Sequence, residues 1–368
     1  MAKALPTPYG RISLNQFSRP DLEAFARLCS SSGLPAPRDV SGRLEMRDIL
    51  LDMFSNQAIR NGIERTLQPL FSSRTRRRVL VMTMLIAGTQ VAIEPSFIRV
   101  VTGIDPFAEF KPLEDLAGEV FEVSSDDFRA RSAIFSEFVI DAFLQPDEIA
   151  DCVVEVTLAA AQRKAIRSYR ILMSSMMTYG NLRRELKRRG DTVALIISIY
   201  ERLRYDGRIT DEPLFWLQYA IAMSELPRLD AAWEYINTAY DKALQRQGFQ
   251  TYQIDTQAFR IVLLMATQEP AGRQVSRMNE VLERLERING MLSEDSHRSY
   301  AVRVLEGLPH FVSTRGADMT VSERSALVFW LNTAAKTLAA LPAEIKATSG
   351  SEAVRHGVED AIRMITFL

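Results

Sequence analysis

The chain has 368 residues, with 45 basic against 46 acidic side chains and a formal net charge of −1. Hydrophobic residues make up 47% of the chain and charged residues 25%, as in ordinary globular proteins. These values exclude a chain that is disordered throughout, and they argue against a nucleic-acid coat protein or a polybasic membrane binder. The length predicts two or three domains of about 150 residues each.

The cysteines and the apolar runs indicate the cellular compartment in which the protein is expected. Cys29 and Cys152 are too far apart for metal-knuckle spacing or a recognisable disulfide framework, so a reducing compartment is the simpler assumption. The first six residues have no signal-peptide character. The longest apolar run, 79–93, is interrupted by polar residues and shorter than the roughly 20 residues that cross a bilayer, so it predicts a buried helix. We therefore expect a cytoplasmic protein without membrane contact.

Residues 1–72 are predicted to form an N-terminal helical region. One helix is expected to begin at Arg19, with Ser18 as its N-cap residue and with a proline and an acid in the first turn. Two further helices are expected around 49–54 and 59–70.

Residues 73–147 have the sequence pattern of a winged-helix-like domain. Residues 74–103 predict two helices separated by a turn, and residues 112–118 predict a third. The segments 119–123 and 128–131 then alternate between polar and apolar residues on either side of a turn-rich stretch, which is typical of a β-hairpin. Three short helices followed by a hairpin is the outline of a winged helix.

Residues 148–368 are predicted to be a series of helical hairpins. Apolar residues recur at spacings of three and four, as in Val193, Ile196, Ile197 and Tyr200. Glycine or proline interrupts the pattern at intervals that leave room for one or two helices each. The sequence as a whole therefore predicts a mainly all-α fold that ends in a TPR-like α-solenoid.

One segment matches part of the tetratricopeptide pattern. With Trp216 at position 4 of a 34-residue repeat, the small-residue positions 8, 20 and 27 are Ala220, Ala232 and Ala239. The match is partial, because the usual leucine at position 7 is Tyr219 and the terminal proline is a leucine. Any helical hairpin with alanines at its contact would account for the same residues.

Sequence motifs for known chemistry are missing. The chain has no Walker-type phosphate loop, no Gly-x-Gly-x-x-Gly after a strand, and no zinc-protease or nucleophile-elbow motif. Its three histidines, His297, His310 and His356, have no cysteine or acidic cluster with metal-ligand spacing. We therefore expect no catalytic, cofactor-binding or metal-binding residues and no cofactor, although an enzyme with an uncommon active site stays open.

A basic block is the main candidate for partner binding. It comprises Arg163, Lys164, Arg167, Arg170, Arg183, Arg184, Lys187, Arg188 and Arg189, with Glu185 as the one acid among them. The spacing of Arg163, Arg167 and Arg170 predicts that they share a helix face. If the chain reverses at 178–181, Arg170 comes back near Arg189.

An acidic block, residues 105–127, has eight acids against a single lysine. Two solvated faces would explain both charge blocks. Alternatively, the basic block contacts a protein partner, a nucleic acid or the acidic block itself.

Several segments in order resemble the C-terminal region of bacterial STAND-type antiphage NTPases. Residues 44–87 resemble the helical region that follows the nucleotide-binding core, and the Val120 to Phe138 segment, with Arg129 and Arg131 on its wing, resembles the winged helix. The segments 215–220 and 251–257 are similar to the helical-repeat sensor.

In that family the repeats recognise a target, often a phage protein, and the nucleotide core oligomerises to switch on an effector. The core and the effector are missing from this chain, so no nucleotide-binding residue carries over. The resemblance implies either the sensor portion of a longer protein or a chain that works beside an NTPase or effector chain.

Two function hypotheses follow. The first is a non-catalytic helical-repeat sensor or scaffold that binds a protein partner in bacterial antiphage defence, with oligomerisation left open. The alternative is a winged-helix nucleic-acid-binding regulator that would use Arg129 and Arg131 on the wing and the arginines of 74–78 nearby. The acidic block weakens this alternative, because it lies across the expected recognition region.

Overall fold

The computed structural model of the chain describes residues 19–31, 46–89, 91, 94–123, 128–186, 192–226, 228–294, 297–342, 346 and 350–368. Within these residues the fold is all-α apart from one short hairpin, which confirms the predicted fold class. None of the helices so described has the length and apolar character that a membrane span requires.

The described residues form two compact units. The first contains the chain up to Met176 and the segment Arg184–Thr192, and the second contains Met177–Arg183 and Val193–Leu368. The predicted boundary between 147 and 148 lies inside the first unit, close to the start of a helix, and the proposed three-part division stays a prediction.

The predicted helices and the hairpin of the first unit occur in the predicted order, and one further short helix, Pro106–Phe110, precedes the helix predicted at 112–118. The elements are α1 (Arg19–Ser31), α2 (Met46–Phe54), α3 (Gln57–Phe71), α4 (Arg74–Gly88), α5 (Pro95–Thr102), α6 (Pro106–Phe110), α7 (Glu114–Val120), β1 (Phe121–Val123), β2 (Phe128–Ala130), α8 (Ala133–Phe143) and α9 (Pro146–Ala161). Helices α10 (Arg167–Met177) and α11 (Tyr179–Glu185) contain residues of both units. Helix α1 begins at Arg19 as predicted, whereas Ser18, its proposed N-cap residue, lies outside the described residues.

Helix α4 is the central helix of the first unit. Ser73 caps it by accepting a hydrogen bond from the Arg76 backbone nitrogen at 3.3 Å, and every residue from Val79 to Ile86 is buried. A helix that is apolar on all sides is stable only when it is covered on all sides. Accordingly, α4 packs against α3, α5, α8, α9 and β2, which confirms the buried helix predicted from the apolar run.

The predicted hairpin is present. Strands β1 and β2 pair antiparallel, with Phe121 opposite Ala130 and Val123 opposite Phe128. Phe121 is fully buried, and the centroid of its ring lies 5.7 Å from the ring centroid of Phe110. The hairpin is therefore attached to the helical core at this residue. Helices followed by a hairpin match the predicted order, and the winged-helix assignment itself stays a prediction.

The second unit is helical, and several of its consecutive helices pack against each other. Its helices are α12 (Thr192–Leu203), α13 (Gly207–Thr210), α14 (Pro213–Ser224), α15 (Leu229–Leu244), α16 (Tyr252–Gln268), α17 (Met278–Leu292), α18 (Arg298–Leu305), α19 (Leu308–Arg315), α20 (Val321–Ala339) and α21 (Ser351–Thr366). Ala220, Ala232 and Ala239 are fully buried on α14 and α15, which pack closely together. The helical hairpin is therefore confirmed, and the 34-residue repeat stays a prediction.

A buried arginine in the second unit connects the segment between α16 and α17 to the residues that follow α19. Arg315 is fully buried, donates to the backbone carbonyls of Glu269 and Arg273, and lies 3.3 Å from the Asp318 carboxylate. Asp318 also accepts a hydrogen bond from the Gly272 backbone nitrogen at 3.0 Å. These contacts fix the link between α16 and α17, which has few apolar side chains of its own to bury.

Candidate functional site

Three of the four arginines at the start of α4, which the nucleic-acid hypothesis would use, are held by carboxylates within the first unit, and the fourth, Arg74, is exposed without such a partner among the described residues. Arg76 lies 3.3 Å from Glu109. Arg77 and Arg78 each donate twice, to Glu148 and Glu155 respectively. These side chains join α4 to α6 and α9, so their guanidinium groups already have partners.

The wing arginines are also engaged. Arg129 pairs with Glu122 on the opposite strand, 2.7 Å from Nη2 to Oε2, although both side chains are at least half exposed. Arg131 donates from Nε to the backbone carbonyls of Gly118, at 2.6 Å, and Phe121, at 3.1 Å. Arg131 therefore fastens the hairpin to the end of α7.

The structure corrects one prediction for the basic block. Arg163, Arg167 and Arg170 do not share one helix face, because α9 ends at Ala161 and α10 begins only at Arg167. Arg163 lies in the intervening turn, with its guanidinium 5.5 Å from the Tyr169 ring centroid. The turn contains neither glycine nor proline. Its physical reason is tertiary: Tyr169 is buried against Phe97, with ring centroids 5.0 Å apart, and this contact sets the direction of α10.

Beyond this turn, α10 presents an exposed basic and aliphatic surface. Arg167 and Arg170 are exposed, and neither forms an ion pair or a side-chain hydrogen bond with any residue that the structure describes. Ile166 and Ile171 flank them and are 55% and 44% exposed. We call these four residues the α10 surface. Among the members of the basic block that the structure describes, Arg167 and Arg170 are thus the two whose guanidinium groups have no ion pair, side-chain hydrogen bond or ring contact.

The remaining members of the basic block are placed differently. Lys164 is half-buried and already engaged in a contact. Arg183 belongs to the second unit, where it pairs with Glu225 at 3.3 Å. Arg184 belongs to the first unit and pairs with Glu185 at 3.3 Å. Lys187, Arg188 and Arg189 lie outside the described residues, and so does the predicted approach of Arg170 to Arg189.

A charged cavity in the first unit was not predicted from the sequence. It has a volume of about 220 Å³ and is lined by Arg47, Asp48, Leu51, Glu137, Asp141, Arg184 and Glu185. Arg47 donates to both carboxylate oxygens of Glu137 and lies 3.5 Å from Asp48. The lining residues come from α2, α8 and α11, which are distant in sequence, so no local pattern could have indicated the cavity.

Within this cavity, Glu185 has an altered acidity. Burial, followed by the charge of Glu137, raises the pKa of the Glu185 carboxyl, and Arg184 and Arg47 oppose the shift. Helix α4 contributes to the burial, since a Cβ atom on Gly88 would lie 3.5 Å from the Glu185 carboxylate. No cluster of three or more His, Cys, Asp or Glu side chains suited to a metal ion occurs among the described residues.

Compared with models of protein families, with curated proteins and with solved structures, the chain matches none of them.

Proposed function

We propose that the chain is a non-catalytic helical scaffold that binds a protein partner, and that the α10 surface is part of the contact. The observation that carries this proposal is the pair of exposed arginines, Arg167 and Arg170, without a carboxylate partner. Several arginines of the same unit are paired with carboxylates, namely Arg47, Arg76, Arg77, Arg78 and Arg129. Others, such as Arg74 and Arg99, are also exposed without a carboxylate partner in the described part of the chain, whereas Arg167 and Arg170 lie together beside two exposed isoleucines.

The composition of the α10 surface supports a protein contact. Arginine is enriched at protein interfaces, where its planar guanidinium donates hydrogen bonds to a carboxylate while its stem packs on apolar groups. Ile166 and Ile171 stand beside the arginines and remain in contact with water. Covering such aliphatic area contributes about 25 cal/mol for each Å² removed from water.

The class of partner follows from the sequence resemblance to STAND-type antiphage NTPases. On that basis the partner is a phage protein, or an NTPase or effector chain of the same defence system. The helical hairpins of the second unit support a scaffold role, because stacked hairpins expose long surfaces to proteins.

The nucleic-acid alternative is supported by the hairpin and by the exposure of Arg129. Against it, most of the arginines that would contact phosphates are held by carboxylates or carbonyls of the chain itself, namely Arg76, Arg77, Arg78 and Arg131, which leaves Arg74 as the exposed arginine at the start of α4 without such a partner among the described residues. Using the four held arginines would require breaking these contacts. A mobility-shift assay at low salt tests the alternative, and we expect no shift of duplex DNA or of RNA.

Affinity capture tests the proposed function. A tagged chain is recovered from bacterial cells with and without phage infection, and bound proteins are quantified by mass spectrometry. We expect one protein to be retained at a stoichiometric level through size-exclusion chromatography. Recovery of the chain alone under both conditions would overturn the proposal.

A further inference from the structure

We infer that the α10 surface binds an acidic amphipathic segment of the partner, whose carboxylates pair with Arg167 and Arg170 while its apolar side chains cover Ile166 and Ile171. This inference rests on the proposed function and adds the chemistry of the bound segment.

Local charge supports an acidic segment. No aspartate or glutamate occurs between Glu155 and Glu185, so α10 and the turn before it carry only positive charge. Arg167 and Arg170 therefore have no sequence neighbour of opposite sign, and no described residue from another element supplies one. A carboxylate delivered by another molecule would complete a charge-assisted, bidentate hydrogen bond at either guanidinium.

The spacing of these residues fits an amphipathic segment. Arg167 and Arg170 are three residues apart on α10, which places them on the same side of the helix, about 5–6 Å apart. Acids one helical turn apart on a partner have the same separation. Ile166 lies just before the helix and Ile171 just after the second arginine, so an apolar side chain at either end of the acidic pair would meet an exposed isoleucine.

Buried side chains on the opposite side of α10 hold the α10 surface in place. Tyr169, Leu172 and Met173 are buried on the opposite side of α10, and the Tyr169 ring packs on Phe97 of α5. Binding to a helix that is already anchored costs less conformational entropy than binding to a mobile loop.

Two other classes of ligand fit less well. Phosphates of a nucleic acid would pair with the arginines but leave Ile166 and Ile171 in water. A membrane would receive only a few aliphatic side chains and two unpaired arginines, whereas stable surface binding requires a larger apolar face or a polybasic cluster. An acidic amphipathic segment is the ligand class that satisfies both the charges and the isoleucines.

The test uses fluorescence anisotropy with a fluorescein-labelled amphipathic helix made of glutamate, leucine and alanine. Two matched peptides replace all glutamates with glutamine or all leucines with serine. Duplex DNA and vesicles that contain phosphatidylserine are the competing probes. We expect the full chain to bind the acidic amphipathic peptide at least about tenfold more tightly than either matched peptide, with affinity falling as salt is raised.

Variants of the full chain locate the site. Arg167→Glu combined with Arg170→Glu should weaken peptide binding by about tenfold or more, and Ile166→Ser combined with Ile171→Ser by several-fold. Arg65→Glu on α3, which reverses an exposed arginine outside the α10 surface, should bind like the wild type. Circular dichroism melting checks that each variant is folded. If the arginine double variant does not fold, the isoleucine double variant still tests whether the α10 surface binds the peptide.

Several results would overturn the inference. These are absence of peptide binding, equal binding of the glutamine peptide, undiminished binding by the folded arginine variant, and tighter binding of DNA or of vesicles. Affinity capture tests the proposed function independently of the peptide experiment. If affinity capture returns a partner that the arginine variant retains in full, the scaffold function stands and the α10 inference is wrong.

Discussion

The Arg77 guanidinium and the Glu148 carboxylate are joined by two hydrogen bonds, 2.5 Å from Nε to Oε1 and 2.8 Å from Nη2 to Oε2. Nη2 also lies 3.3 Å from the Phe143 backbone oxygen. The pair connects the central helix α4 to α9. Arg77 and its neighbours Arg76 and Arg78 thus show that arginines in a basic stretch of sequence can stabilise the fold of their own chain.

Replacing Glu148→Gln should lower the free energy of unfolding by about 1–2 kcal/mol, because the guanidinium loses a charged, bidentate acceptor in a partly buried place. Urea unfolding measures the change. Glu122→Gln is the matched control, since its partner Arg129 is 61% exposed, and it should cost at most about 0.5 kcal/mol. Equal losses in the two variants would contradict the structural role of the Arg77 pair.

Replacing Arg315→Met should be among the most damaging substitutions in the second unit. The variant leaves the carbonyls of Glu269 and Arg273 without their donor and leaves Asp318 without its cation. Removing one partner of a buried charge network costs about 3–5 kcal/mol. Thermal unfolding followed by circular dichroism tests this value, with Arg303→Met, at an exposed position of α18, as the control. A melting temperature close to that of the control would show that Arg315 is dispensable.

Cys152 should be inert towards thiol reagents in the folded protein. Burial, together with the charges of Glu155 and Glu148, raises the pKa of the Cys152 thiol to about 12. At pH 8 only about one such thiol in ten thousand is ionised, and the thiolate is the reactive form. Cys29 is buried as well. We expect Ellman's reagent to detect two thiols in urea and almost none in buffer, and rapid reaction of the folded Cys29→Ser variant would contradict the prediction for Cys152.

Glu185→Gln should stabilise the chain at neutral pH. Because the pKa of Glu185 is raised in the folded state, the folded chain binds this proton more tightly than the unfolded chain. The stability that this group contributes is therefore full below its unfolded pKa and is lost as pH rises through its folded pKa. In urea unfolding at a series of pH values, the free energy of unfolding of the variant should increase relative to that of the wild type as pH rises. A constant difference across the series would contradict the cause assigned to the shift.

Local patterns were sufficient for several elements. The hairpin of Phe121–Val123 and Phe128–Ala130 followed from alternating residues around a turn, and the burial of α4 followed from an apolar run without a polar face. The alanines of the α14–α15 hairpin, among them Ala220 and Ala232, were recognised from their spacing. In each case the residues that decide the structure are close together in the chain.

The predicted site depended on contacts that no local pattern contains. The spacing of Arg163 and Arg167 fits one helix, yet the helix breaks between them, because burial of Tyr169 against Phe97 redirects the chain. The sequence also does not show whether a given arginine or lysine is paired with a carboxylate in the folded chain. Arg77 and Arg170 differ in this respect only because a carboxylate from another helix reaches the first and not the second.

The sequence by itself determined the all-α class, the β-hairpin and the α14–α15 helical hairpin, because propensity, turn residues and apolar periodicity act over a few residues. Only the tertiary structure decided which arginines stabilise the fold and which face solvent, and only it assembled the cavity around Glu185 from α2, α8 and α11. The physical reason is that pairing and burial depend on side chains brought together from distant parts of the chain. The availability of Arg167 and Arg170 is therefore a property of the packed structure.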